Sequence, residues 1–535
     1  MTPEERAEIV GSVATLQGQL EALVVRGVRA VGGDDLKQLT ALHEDLGRIG
    51  AGYLGGRIGE LIGHARTGDP KAAAALCGAQ TALRVFDRVL TLHAARELLA
   101  AAEDEDGEDG EDGEASDGDS DDGGGGAAGA AATAAAPPPA PVKLDDRAEL
   151  LPMLAELTAT VESLIATGLS TASAATRQKL DVSFKEASKR KLLRLGASLR
   201  YVNEELGRFV ADASAFSPKR FAFFLHRSWL LARGLHEAIR QGDAPWIARL
   251  LMSREPEVVR RVDAIVMGVG KRVQADGGCS FEFRMRSVGD GGALPAGTPI
   301  VWSCVFPPKK GVPAEAYLHL PQPQKFAPKI LLDRAIYTIS ECAISRGEPG
   351  GGVRLMLGPK STVTAGKRFT DWAAHLPTDW TAIRARAAAH RPSPLELEVE
   401  LQEAVVLHDW QVGAPDARDD DKVAYPITAG GRELVVMTAK GPGDAELVAA
   451  LDAFRKQAGK AGKAASSAKA AKAKPAKAAQ PAPSRGPLFG LMHYERCQLV
   501  LQPLAIFGDD GPEYLTISKD KISVSSLVSS LDFRA

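Results

Sequence analysis

Apolar residues recur at steps of three and four through the first hundred positions. Ile9, Val13, Leu16, Leu20, Leu23, Val24 and Val28 share one helical face. Thr2 can cap this helix, Pro3 suits its first turn, and Glu4 and Glu5 favour the positive end of its dipole. Gly32-Gly33 breaks the run. Leu36, Leu39, Leu42, Leu46 and Ile49 then define a second face. Asp69-Pro70 opens a further helix carrying Leu76, Leu83, Phe86, Val89 and Leu90.

The pattern returns after residue 143. Glu5-Arg6-Ala7-Glu8-Ile9 has its counterpart in Asp146-Arg147-Ala148-Glu149-Leu150. At the same offset Leu16 meets Leu157, Leu20 meets Val161, Leu23 meets Leu164 and Gly27 meets Gly168. A slip of about five residues then sets Arg48-Ile49-Gly50-Ala51 against Arg194-Leu195-Gly196-Ala197. Asp69-Pro70-Lys71 finds Ser217-Pro218-Lys219. This order predicts an internal duplication of an antiparallel helical module; two unrelated bundles are the alternative. Gly55, Gly59 and Gly63 line one helical stripe, which suits either tight packing inside the module or a dimer contact.

From about residue 261 the period becomes alternating. Residues 279–286 alternate strictly, as a half-buried strand does. Further strands are predicted over 300–306, 316–320, 353–357, 395–401 and 434–437. Glycine turns are expected at 289–292, 350–352 and 430–431, and short helices over 380–390 and 444–455. Residues 488–493 and 498–507 read as strands again, so the lysine-rich stretch before them is a connection within one β-containing region.

Charge changes this picture. The net charge of −3 is partly a cancellation. Thirteen acids and no base lie between Glu103 and Asp122, whereas eight bases and no acid lie within 456–485. Neither stretch can bury a core, so both are expected to be disordered. The predicted fold class is α+β and multidomain. Residues 1–100 form one helical module, 101–142 an acidic linker, and 143–260 a second module. Residues 261–455 form a β-rich α+β region, 456–485 a Lys/Ala/Pro-rich linker, and 486–535 the closing strands with a serine-rich tail. A chain of 535 residues with 45% hydrophobic positions has ample material for several cores.

Candidate chemistry is sparse. Gly358-Pro359-Lys360-Ser361-Thr362 and Gly268-Val269-Gly270-Lys271 hint at phosphate loops, but both lack the required spacing and are expected to be turns. The cysteines Cys77, Cys279, Cys304, Cys342 and Cys497 are odd in number and widely spaced, which argues against a disulfide framework or a structural zinc site. Cys342 could meet His319, His375, His408 or His493 only through the fold. Asp416, Asp419, Asp420 and Asp421 read as a solvated acidic loop rather than a cation site. No catalytic residue, cofactor or metal is predicted.

The remaining candidate is charge on a helix. Lys179, Lys185, Lys189, Arg190, Lys191, Arg194 and Arg200 give the segment 179–200 a basic character. A solvated face is one reading; contact with phosphate or with an acidic partner is the other. Lys469, Lys472, Lys474 and Lys477 of the linker could join it. Few aromatics interleave, so no base-stacking platform is expected. No apolar run is long enough to suggest a membrane span, and the acidic start does not resemble a signal peptide. The functional expectation is a non-catalytic cytoplasmic interaction or scaffold protein with protein partners. The alternatives are non-specific association with nucleic acid, or an enzyme with an unrecognised site in the β-rich half.

Overall fold

Helix periodicity in the first half and strand alternation in the second translate into two units. The computed structural model describes residues 3–518 apart from 105–146, 172–173, 252–255, 274–277, 290–292, 308–311, 322–325, 347–351, 397–398, 400, 420–421, 442 and 471–485. Most of the acidic run, the end of the lysine-rich run and the serine-rich tail thus lie outside the described residues. One unit comprises Met1–Asp87, Asp104–Arg254 and Ser393–Leu397; the other comprises Arg88–Glu103, Glu255–Pro392 and Glu398–Ala535. The architecture is α+β.

The helical unit is built from α1 (Pro3–Arg26), α2 (Gly33–Arg48), α3 (Gly52–Thr67) and the first part of α4 (Ala72–Asp104). It continues with α5 (Arg147–Thr167), α6 (Ala174–Lys189), α7 (Leu193–Ala211), α8 (Pro218–Gln241) and α9 (Ala244–Leu251). The predicted apolar faces are buried: Leu16, Leu20 and Leu23 of α1 share a core with Leu157, Val161 and Leu164 of α5. The start of α8 is set by its sequence. Pro218 occupies the first turn and the Ser217 hydroxyl accepts the Arg220 N–H at 3.3 Å. Gly242, in the left-handed conformation at φ 72°, ends it.

Gly27 and Gly168 explain themselves through each other. Both have positive φ, 93° and 78°, and each follows directly on a helix. A Cβ on Gly27 would lie 2.5 Å from the Thr167 carbonyl carbon, and one on Gly168 would overlap the Arg26 carbonyl. Only glycine lets the two backbones meet there.

Two helix ends share one geometry. α2 and α6 both end on a left-handed residue, Gly50 (φ 75°) and Lys191 (φ 57°). In both, the next N–H returns to the helix: Ala51 donates to Leu46 O at 2.9 Å and Leu192 to Ala187 O at 2.8 Å. The spacing that separates Gly27 from Gly168 also separates Gly50 from Lys191 and Gly55 from Gly196. The same interval separates the starts of α3 and α7, and α7 is the longer helix. Lys191 also interrupts the basic segment 179–200, which is two helices rather than one. A Cβ on Gly55 or Gly59 would lie 3.8 or 3.4 Å from the His43 ring of α2, so those positions of the glycine stripe serve packing inside the module.

In the second unit, β1 (Glu257–Val273), β2 (Cys279–Ser287), β3 (Pro299–Phe306), β4 (Ala335–Arg346) and β5 (Val353–Arg368) close a barrel in the order β1-β2-β3-β5-β4. All pairs are antiparallel except β3–β5. This is the order of an OB-type five-stranded Greek-key barrel. The alternation of β2 sends Cys279, Phe281, Phe283 and Met285 inward against Trp302, Tyr337 and Ile339. Residues 316–320 are not a strand. Pro313 precedes them, its carbonyl accepts the Ala316 N–H at 3.0 Å, and Ala314–His319 is a 3-10 helix that puts Tyr317 and Leu318 into the barrel core. A short apolar run alone does not separate the two conformations. The two glycine–lysine segments are not turns either. Residues 268–271 lie within β1, and 358–362 form a bulge within β5, where the Ser361 hydroxyl donates to Glu341 O at 2.6 Å.

The remaining strands are β6 (Gln402–Leu407), β7 (Gln411–Val412), β8 (Asp416–Asp419), β9 (Lys422–Ala429), β10 (Arg432–Ala439), β11 (Leu488–Glu495), β12 (Gln498–Gly508) and β13 (Gly511–Tyr514). They form one sheet in the order β6-β11-β12-β10-β9-β7, with β13 on β12 and β8 on β9. The strands after the lysine-rich stretch therefore occupy its middle. Leu92, Ala95 and Leu99 of α4, Ile383 and Ala387 of α10 (Trp380–Ala389), and Leu447 and Leu451 of α11 (Ala445–Ala470) share a core with the sheet residues Met492 and Tyr494. Phe489, Leu491 and Leu504 pack with Ile265 and Met267 of β1. A Cβ on Gly268 would lie 2.7 Å from Leu504 Cβ, so glycine there admits the sheet against the barrel. α11 continues to Ala470, past the helix expected to end near 455. Alanine and lysine are strong helix formers, and no proline occurs before Pro475.

Candidate peptide-binding site

The basic residues singled out from the sequence are largely engaged within the helical unit. Lys179 pairs with Glu156 at 3.3 Å and Lys185 with Asp181 at 2.7 Å. Arg190 reaches Glu149 at 2.6 Å and Glu186 at 3.4 Å, and it holds the Glu149 carboxyl below the usual carboxylate range. Lys189 and Lys191 are exposed. Lys469 falls in the sequence of α11, and Lys472, Lys474 and Lys477 lie outside the described residues.

Arg194 behaves differently. It opens α7, its side chain is only 9% exposed, and it donates to Glu396. Arg227 of α8 lies 3.6 Å from the same carboxylate oxygen. Burial holds the Arg227 guanidinium below its usual pKa. Glu396 belongs to Ser393–Leu397, a segment of the helical unit that joins α10 to β6 in sequence. The segment folds on itself: the Ser393 hydroxyl accepts the Leu395 N–H at 3.2 Å and its carbonyl accepts the Glu396 N–H at 3.4 Å. Leu395 packs against the helical core. Leu395 thus joins the helical core, and the following carboxylate lies between guanidinium groups of α7 and α8.

Sequence reasoning missed both Arg227 and Glu396. It read 395–401 as a strand from its alternation, whereas none of the described residues of that span is extended in a sheet. Pro392 and Pro394 were the available warning, since proline lacks the N–H a strand needs.

Elsewhere, two buried charged groups are paired. Lys271 of β1 is 2% exposed and donates to Glu315 at 2.7 Å and Glu446 at 2.9 Å. Glu205 of α7 is fully buried, accepts from Arg208 and from the Ser217 N–H at 3.0 Å, and forms an ion pair with Arg220 at 3.2 Å. No disulfide joins the five cysteines, and all are buried. Burial pushes Cys279 and Cys342 up to about 11 and Cys304 up to about 12, so none of these three is an activated thiolate. Among the described residues no group of His, Cys, Asp and Glu could hold a metal ion. One described helix, Glu149–Thr167, is long and apolar enough to cross a membrane by length and composition. Its Leu150, Leu154, Leu157 and Val161 are buried in the helical core.

No protein family and no curated protein matches this chain. Among solved structures, one described as "Molecular basis for abrogation of activation of pro-inflammatory cytokines" is 11% identical over 35% of this chain and 81% of its own, with a TM-score of 0.17. Another, "Structural mimicry for functional antagonism", is 10% identical over 47% of this chain and 92% of its own, with a TM-score of 0.20. Likenesses at that level carry no argument.

Proposed function

We propose that this is a non-catalytic interaction protein whose helical unit takes short segments combining an apolar residue with a carboxylate. The pairing of Glu396 with Arg194 of α7 and Arg227 of α8, beside a leucine packed on the helical core, carries the reading, because it displays a segment of that chemistry in place. Duplication of the helical module is part of the proposal. It is supported by the common spacing of Gly27/Gly168, Gly50/Lys191 and Gly55/Gly196. A reducing, cytoplasmic setting is supported by five buried thiols outside any disulfide.

The test uses the full-length protein and a labelled peptide of residues 391–399. E396A weakens the internal segment, so the peptide is expected to bind this variant and to lose binding when R194A is added. If the peptide binds neither wild type nor E396A, the reading fails. Pull-down of the tagged full chain with and without nuclease then separates protein partners from nucleic acid.

A second reading, non-specific association with nucleic acid, is supported by α11. Its sequence carries Lys456, Lys460, Lys463 and Lys469 with no acid after Asp452. Affinity for duplex DNA should then fall steeply with salt. A salt-independent interaction, or none, would exclude it.

A further inference from the structure

A groove in the first helical module is built unlike its counterpart in the second. Between α1 and α2 lies a cavity of about 280 Å³, close to the lower end of small-molecule sites. Leu23 and Leu39 are buried in its lining, and Gly18 and Ala22 form part of its wall on α1. Two contacts cross from helix to helix within that lining. Gln19 donates to Gln38 Oε1 at 2.9 Å, and Arg26 donates to Asp35 Oδ1 at 2.7 Å. Gln19 and Arg26 stand two helical turns apart on α1, about 10 Å, so the groove has an amide pair at one end and an ion pair at the other. Arg26 and the Gly32 N–H hold the Asp35 carboxyl below the usual carboxylate range. Neither contact exhausts its groups: a guanidinium has five donors, a carboxylate accepts about four bonds, and each amide both donates and accepts. The spacing that relates Gly27 to Gly168 sets Thr167 and Thr176 against Arg26 and Asp35, and Lys179 against Gln38. There Lys179 pairs with Glu156 of α5 at 3.3 Å. The second module thus has neither the amide pair nor the charged pair at these positions.

We propose that this groove binds a free α-amino acid with a carboxamide side chain, of which glutamine has the fitting length. Its α-carboxylate meets Arg26, its α-ammonium meets Asp35, and its side-chain amide meets Gln19 and Gln38. A zwitterion brings one charge of each sign, so it matches an ion pair without adding net charge to the groove. An amide offers the glutamine pair both a donor and an acceptor, whereas a carboxylate at that end would bring only acceptors and an unmatched charge. The ligand's methylenes lie along Gly18 and Ala22, and nothing stands within 4 Å of a Cβ built on Gly18. The site uses α1 and α2, not Arg194 of α7 or Arg227 of α8, and stands without the peptide-binding reading.

The experiment is equilibrium dialysis of radiolabelled L-glutamine against the full-length protein, carried to millimolar ligand. Saturable binding of one glutamine per chain is expected. L-glutamate, and glutaramic acid, which lacks the α-ammonium, should each compete at least about tenfold less well than unlabelled glutamine. G18L fills the groove from an exposed position with open space around it, so it should abolish binding while unfolding no lower than wild type. A159L, the matching change in the second module, should leave binding intact. R26Q provides a second variant that leaves the groove open, and it should weaken binding at least about tenfold. No saturable binding, binding retained in G18L, binding lost in A159L, unchanged affinity in R26Q, or glutamate competing as well as glutamine would overturn the proposal.

Discussion

At Gly27 and Gly168 a missing side chain does structural work. Each combines a positive φ with a backbone neighbour closer than any Cβ tolerates. Gly27→Ala and Gly168→Ala should therefore each destabilise the protein by about 2 kcal/mol or more, read as a lower denaturant midpoint at unchanged slope. Gly11 is the control, because nothing lies within 4 Å of a Cβ built there. Gly11→Ala should be neutral or stabilising. His375 gives a pH-dependent counterpart. Burial first, and Arg286 second, hold its pKa below the ordinary 6.5. The sign follows: an imidazole kept neutral in the folded state favours folding above its unfolded pKa, and that advantage is lost as pH falls through the folded pKa. Wild type should lose more stability than H375N between about pH 7 and about pH 5. Parallel curves would remove His375 from the account.

Ion pairs between elements differ by burial. Lys271 joins β1 to the Ala314–His319 turn and to α11, with Lys271 and Glu315 almost completely buried. K271M would leave two carboxylates without their cation, at a cost of about 3–5 kcal/mol. K271M/E315Q/E446Q should recover much of that loss, and chemical denaturation of the two variants decides it. Glu396 is a milder case because its side chain is 27% exposed. E396A should cost about 1–3 kcal/mol, between surface and buried pairs. Which partners meet was not legible in the sequence. Lys271 looked like part of a failed phosphate loop, and the basic residues of 179–200 looked like one stripe. Their partners lie on other elements, and local spacing carries no information about those. Helix boundaries were more readable: Ser217-Pro218, Gly32-Gly33 and Gly430-Gly431 all mark real ends or turns.

Across the whole molecule, the five thiols report on integrity in both units, Cys77 in the helical unit and the other four in the β unit. At about pH 8 the native protein should react negligibly with a thiol-disulfide reagent, and all five should react after denaturation. A fast-reacting thiol in the native state would contradict their burial. The chain's own pattern was sufficient for the division into a helical and a β-rich half, for the faces of α1, α2 and α5, and for the inward side of β2. Those features follow from periodicity, because a face can be buried only if its apolar residues recur at the period of the backbone. The pattern also held the pairing of Gly27 with Gly168, although not its reason. Long-range assembly was settled only in three dimensions. The closure of β3 on β5, the placement of β11 and β12 inside a sheet begun many residues earlier, and the seating of Glu396 between Arg194 and Arg227 each join positions far apart along the chain. Hydrogen-bonding edges and buried charges accept any partner of the right geometry, so the folded packing, and not local spacing, chooses which one arrives.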